Sequence, residues 1–217
     1  MKNNRPLIVE FAGMPQTGKD TTITILSHYL KRKGFREKVC QEGARTCPIS
    51  KEDRLLYATW IVHRVALEAV EVATVHRDRY DVSILNRGIF DAVAFLYLLH
   101  LKGLVSEEEW LNTLKYYTMD VWMNLTDVIF LFKATPETSI ARELENKLIK
   151  TDGIVMNSES LKNLSIAYEH VEGLFNNKCK IIVIDSENHS IMECAQIVAN
   201  HIDLLLQNEG EKDHVNE

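Results

Sequence analysis

Short apolar runs alternate along the chain with longer stretches in which apolar residues recur every three or four positions. The short runs read as strands and the longer stretches as helices. Strands are expected at residues 6–12, 38–41, 81–85, 127–133 and 179–184. Helices are expected at residues 19–33, 51–75, 89–101, 107–123, from Pro136 onward, 158–175 and 190–206. The 19–33 stretch places Ile23, Leu26, Tyr29 and Leu30 on one face and closes on Gly34. The 51–75 stretch is apolar over much of its girth, as in a helix buried in a core or a subunit contact. Ser50-Lys51-Glu52-Asp53 and Ser106-Glu107-Glu108-Glu109 have capping-box spacing, and Thr135-Pro136 has a cap followed by proline at the first helical position. Strands that alternate with helices predict an α/β fold around a parallel sheet.

Composition narrows the class. The 217 residues suit one domain, numbered 1–217, with a polar tail at about 208–217 and no internal repeat. Hydrophobic residues make up 46% and charged residues 26%, the balance of a water-soluble globular chain. A formal net charge of −6 argues against a nucleic-acid backbone as partner, while leaving room for a local phosphate pocket. The apolar runs are broken by His, Lys, Arg or Glu, so no membrane span is expected. Cys40, Cys47, Cys179 and Cys194 lack metal-ligand spacing, and Cys40 and Cys179 fall in expected strands. Free buried thiols fit a reducing, cytoplasmic setting.

The chemistry concentrates in Gly13-Met14-Pro15-Gln16-Thr17-Gly18-Lys19-Asp20-Thr21-Thr22. This stretch joins the first strand to the first helix with the spacing G-x-x-x-x-G-K. The glycines let the backbone turn its N–H groups toward an anion, and the helix start adds its positive dipole end. Lys19 then meets the outer phosphates as a point charge. The residue after the lysine is normally Ser or Thr, whose hydroxyl touches Mg²⁺; here it is Asp20, followed by Thr21. Either is a candidate metal contact.

Further candidates follow the other strands, because ligands of open α/β sheets bind beyond the carboxyl ends of the strands. The second strand leads into Glu42-Gly43-Ala44-Arg45 and the third into Asn86-Arg87-Gly88, with Asp91 shortly after. Glu42 can accept a hydroxyl proton or hold a sugar hydroxyl, and Arg45 can fork onto a phosphate. Arg87 is placed to stabilise a transferring phosphoryl group, and Asp91 is a nearby carboxylate for metal or substrate. On the 51–75 helix, Trp60 can stack on a base and Arg64 can hold a phosphate or carbonyl. A basic helix carrying Arg142, Lys147 and Lys150, ended by Thr151-Asp152-Gly153, has the form of a lid over about 142–157.

These pieces, taken in order over nearly the whole chain, resemble P-loop nucleoside and nucleoside-monophosphate kinases, the group that includes thymidylate kinases and deoxynucleoside kinases. The matching pieces are Gly13 to Thr22, Glu42-Gly43-Ala44-Arg45, Leu55-Leu56-Tyr57-Ala58, Asn86-Arg87-Gly88, Thr135-Pro136-Glu137 leading to Arg142, and Val183-Ile184-Asp185-Ser186. The resemblance implies a three-layer P-loop NTPase fold with a five-stranded parallel sheet flanked by helices, a lid after the fourth strand, ATP and Mg²⁺ as cofactors, and a homodimer. Two positions depart from the pattern. Asn86 stands where such kinases carry an acid, so Asp20, Glu42 or Asp91 would replace it. The arginine that thymidylate kinases carry after a Leu-Leu-Phe-Ala-like run falls on Ile61, with Arg64 one turn on.

The expected activity is phosphoryl transfer from ATP to a nucleoside or nucleoside monophosphate. Lys19, Arg87, Arg142 and Glu42 are the expected catalytic residues. Residues Gly13 to Thr22 are expected to hold the phosphates. Glu42, Arg45, Trp60, Arg64, Arg87 and Asp91 are the substrate candidates. The alternatives are a kinase for another small hydroxyl acceptor and a nucleotide-binding regulatory protein with little turnover. No guanine-reading Asn-Lys-x-Asp motif is present, which argues against a GTPase switch.

Overall fold

Five parallel strands form one sheet in the order β2-β3-β1-β4-β5. The computed structural model describes residues 5–146 and 156–214. The strands are β1 (Leu7–Gly13), β2 (Glu37–Cys40), β3 (Val82–Asn86), β4 (Val128–Lys133) and β5 (Ile181–Asp185). The helices are α1 (Lys19–Arg32), α2 (Gly43–Thr46), α3 (Arg54–Ala73), α4 (Ile89–Leu101), α5 (Glu107–Tyr117), α6 (Asp120–Met123), α7 (Pro136–Asn146), α8 (Ser158–Phe175) and α9 (Ile191–His214).

A parallel sheet needs a crossover between successive strands, and the helices supply it while covering both faces. Alternation along the central strands sorts the core into two layers. Leu7, Val9 and Phe11 of β1 join Val128, Phe130 and Phe132 of β4 against α1 and α9. Ala12 of β1 joins Ile129 and Leu131 of β4 against α3, α4 and α8 on the other face. Ile8 meets Cys40, Ala69, Val72 and Leu85 beneath α3. This is the three-layer arrangement expected of the sequence. No described helix is long and apolar enough to cross a membrane. All four cysteines are free.

Several boundaries differ from expectation, each for a local reason. The 107–123 helix is divided into α5 and α6, because Met119 is extended (φ −66°, ψ 148°) and caps α6. The Ser50 capping box does not form. Ser50 instead closes a turn, accepting from the Glu52 N–H on Oγ and the Asp53 N–H on its carbonyl, and α3 begins at Arg54. The Ser106–Glu109 box is formed in full. Helix α3 is apolar over much of its girth yet only one side is buried: Val62, Val65, Ala66, Ala69 and Val72 face the core, while Leu55, Leu56 and Leu67 are exposed. Cys179 precedes β5 instead of lying in it. Helix α9 runs to His214, past the expected end at 206. The described part of the tail at 208–217 therefore continues that helix. Of the lid expected at 142–157, residues 147–155, including Lys147, Lys150 and Thr151-Asp152-Gly153, lie outside the described residues.

Candidate functional site

The site begins where β1 ends. Gly13 has φ +131°, and a Cβ there would lie 2.2 Å from the Phe132 carbonyl oxygen of β4. Only glycine lets the strand turn out of the sheet so close to its neighbour. The chain passes through Gln16 (φ +58°) and reaches Gly18 (φ +82°), which caps α1. Thr17 donates its hydroxyl to the Met14 carbonyl at 2.8 Å and fastens the loop across its mouth. Lys19 is buried and donates to the Gly13 carbonyl at 2.8 Å, the Met14 carbonyl at 2.5 Å and Thr17 Oγ1 at 3.2 Å. Burial, with the Arg87 charge adding to it, lowers the Lys19 ammonium to about 7. The loop carbonyls hold the lysine ammonium, and it is the N–H groups at the start of α1 that suit an anion.

A second group of side chains lies beside this loop, at the carboxyl ends of β2 and β3. Arg87 leaves β3 with φ +67°, a left-handed conformation unusual for a residue with a Cβ. Its guanidinium Nη1 donates to both Asp91 oxygens at 2.9 Å and to the Gly13 carbonyl at 3.1 Å. Its Nε pairs with Glu42 at 2.8 Å. Asp91 also accepts from the Gly13 N–H at 3.1 Å and from the Tyr168 hydroxyl at 2.6 Å. Arg45 Nη2 pairs with Asp20 at 2.6 Å and reaches Glu42 at 3.6 Å from its Nε. Asn86 donates to the other Asp20 oxygen at 2.9 Å. The one-turn helix α2 sets Glu42 and Arg45 on the same side of the sheet edge.

The structure thus brings Gly13 to Lys19, Asp20, Glu42, Arg45, Arg87 and Asp91 together. Arg142 of α7 joins from above, donating to the Gln16 carbonyl at 3.3 Å and to the Ser186 carbonyl at 2.6 Å. Gln16 in turn donates to Glu143 on the same helix. Pro15 is half-buried on the loop, Thr21 is exposed, and Thr22 is buried. Arg64 is turned away, pairing with Glu68 at 3.3 Å one turn along α3. Trp60 is half-buried on α3, and among the described residues no hydrogen bond or ring contact ties it to the cluster.

Two members escaped the sequence reading. Tyr168 on α8 is buried against Asp91 and Arg87, and nothing in its local sequence marks it. Glu10 lies in the middle of β1 with 1% of its surface exposed. Its carboxyl accepts the N–H groups of Gly88 (2.9 Å), Asp91 (2.9 Å) and Phe90 (3.3 Å). Burial pushes it up to about 8 against the pull of the Asp91 N–H. Its signal in the sequence is a lone charge on the inward-facing alternation Ile8, Glu10, Ala12.

The donor set can be tested against a nucleotide and a magnesium ion. The mouth at Gly18 is open: a Cβ there would meet only an Ile191 methylene at 3.8 Å. Among the described residues no three His, Cys, Asp or Glu side chains converge on a metal position. Mg²⁺ held mainly by phosphates and water needs only one or two protein oxygens. Asp20 is half-exposed beside Lys19, and the buried Asn86 Oδ1 next to it has no partner among the described residues. The residues therefore fit both groups.

No family model and no curated protein matches this chain. Solved structures do. Deoxyadenosine kinase from M. mycoides with the products dCMP and a flexible dCDP bound is similar, with TM-score 0.69 and 13% identity over 90% of this chain and 98% of that one. The same kinase with bound dATP has TM-score 0.67 and 13% identity over 91% and 99%. At this identity the likeness establishes a shared fold.

Proposed function

We propose that this protein transfers the terminal phosphoryl group of ATP to a hydroxyl of a nucleoside or nucleoside monophosphate. The carrying observation is Lys19 held in the carbonyl nest of a glycine loop, with the linked Glu42–Arg87–Asp91 group beside it at the carboxyl ends of neighbouring strands. Residues Gly13 to Thr22 wrap the phosphates, and Lys19 leaves its carbonyls for the phosphate oxygens. Mg²⁺ beside Asp20 or Thr21 would neutralise charge on the phosphates. Glu42 orients the acceptor hydroxyl and takes its proton as the new P–O bond forms and the bond to ADP breaks. Arg87 and Arg142 steady the transferring group, and Arg45 faces the acceptor.

A nucleoside is favoured over thymidylate as acceptor by two observations. The similar structures are deoxyadenosine kinases, and Arg64 is held by Glu68 on its own helix. The reading carries with it a homodimer, for which the exposed Leu55, Leu56 and Leu67 of α3 offer apolar surface. Light scattering checks that mass. A second reading, nucleotide binding with little turnover, is favoured by Asn86 in place of an acid.

The deciding experiment is ADP formation from Mg·ATP across nucleosides, nucleoside monophosphates and other small hydroxyl acceptors. Acceptor-dependent ADP is expected, with Lys19→Ala lowering the rate roughly 10²–10³-fold, the scale of one strong transition-state contact. An unchanged rate in the variant refutes the assignment. Calorimetric ATP binding without turnover on any acceptor establishes the second reading.

A further inference from the structure

Glu10 takes no part in the chemistry proposed above, yet it is the most deeply placed charge-bearing group near it. It sits on the central strand, opposite Leu85 of β3 and Ile129 of β4. With 1% of its surface exposed it has no path to a ligand. All three hydrogen bonds that its carboxyl accepts come from the start of α4. A helix start leaves its first N–H groups without partners inside the helix, and α4 has no side-chain cap of its own. Glu10 supplies the acceptor from the neighbouring strand for Gly88, Phe90 and Asp91. Gly88 is shaped to this: a Cβ there would lie 2.4 Å from Glu10 Oε2.

The turn so held is the one that aims Arg87. Its N–H donates to the Phe11 carbonyl at 3.0 Å, the next residue of β1 after Glu10. Asp91, whose N–H rests on Glu10, uses its side chain to bind Arg87 and the Gly13 N–H. Strand β1 therefore grips the turn at Glu10, at Phe11 and at Gly13, and the last of these is the first residue of the phosphate loop.

We propose that Glu10 is a positioning residue that locks the Arg87–Asp91 turn in register with the phosphate loop, so that the guanidinium meets the transferring group without rearrangement. The proposal rests on the phosphoryl-transfer reading. Displacement of a catalytic group by a fraction of an ångström is enough to slow a positioned reaction. The effect belongs to kcat, because the nucleotide socket is built by other residues.

The test compares Glu10→Gln, which keeps an acceptor oxygen for Gly88 and Asp91, with Glu10→Leu, which fills the same space and accepts nothing. Glu10→Gln is expected to keep kcat within about threefold, and Glu10→Leu to lose about a hundredfold with ATP affinity unchanged. Gly88→Ala gives an independent handle. Its Cβ pushes on the carboxylate in the native protein but finds space in Glu10→Ala, so the two losses should not add. Wild-type kcat in folded Glu10→Leu overturns the proposal. So does a loss of ATP affinity matching that of kcat, or full additivity with Gly88→Ala.

If the unaltered protein turns over no acceptor, the phosphoryl-transfer reading fails by itself, and Glu10 is judged by NMR. The Nε–Hε resonance of Arg87, assigned with Arg87→Lys, should exchange slowly in the native protein and in Glu10→Gln. Its loss in Glu10→Leu supports the lock, and its persistence in both variants refutes it.

Discussion

Nucleotide binding at pH 8 should draw a proton from solution. Lys19 is buried at the loop mouth and its ammonium is lowered from the ordinary 10.5 to about 7, chiefly by desolvation and secondly by Arg87. Triphosphate oxygens in the socket restore the charged form. With a free-state value near 7, the fraction already protonated is about 0.1 at pH 8, about 0.5 at pH 7 and about 0.9 at pH 6. Uptake on binding should therefore be about 0.9 proton at pH 8 and about 0.1 at pH 6. Affinity should weaken about tenfold for each pH unit above 7, or about 1.4 kcal/mol. The same displacement bears on stability. Between pH 7 and 10.5 the unfolded chain binds the proton and the folded chain does not, so the lysine's contribution makes the unliganded fold more stable as pH rises through that window. The assay is titration calorimetry with Mg·ATP in buffers of different ionisation enthalpy, where the slope of observed heat against buffer heat counts protons. Lys19→Met supplies the control, since any uptake due to Glu10 persists in it and is subtracted. A slope near zero at pH 8, or an equal slope in Lys19→Met, refutes the reasoning.

Two substitutions probe the frame around that lysine. Gly13→Ala places a Cβ 2.2 Å from the Phe132 carbonyl at φ +131°, and should lower unfolding free energy by about 3 kcal/mol in urea denaturation. Arg87→Lys keeps a charge but cannot reach Asp91, Glu42 and the Gly13 carbonyl together; kcat should fall by roughly 10³-fold while the protein remains folded by circular dichroism.

What could be read from sequence divides by the range of the interaction. The central strands β1, β3 and β4 were visible because each is a short apolar run buried on both faces, β2 and β5 are half-buried strands at the sheet edges, and the loop was visible because its glycines and lysine are neighbours in the chain. Sequence signals failed where a competing partner, near or far, decides. Ser50 and Ser106 carry the same capping spacing, yet only Ser106 forms the box, while Ser50 spends its acceptors on a turn before α3. Arg64 has the composition of a ligand residue, but Glu68 one turn on claims it. The break between α5 and α6 lies where the Thr118 carbonyl accepts from Lys178, sixty positions away. Tyr168 reaches Asp91 only after α8 has packed against α4. Glu10 was legible in principle, since an unpaired charge cannot rest inside a parallel sheet without partners. Its purpose was not, because those partners are backbone N–H groups of a helix start that no side-chain pattern announces.

The position of β2 at the sheet margin has a consequence of its own. The phosphate loop hangs from the innermost strand, flanked on both sides, whereas Glu42 and Arg45 hang from a four-residue strand with only one neighbour. Opening motions concentrate at such borders, so on the proposed reading the half that would meet the acceptor is the compliant half. The half that carries the phosphate loop is the rigid anvil. Side chains link the two halves, Arg45 to Asp20 and Glu42 through Arg87 to the Gly13 carbonyl, so movement at the sheet edge reaches the phosphate loop through those links.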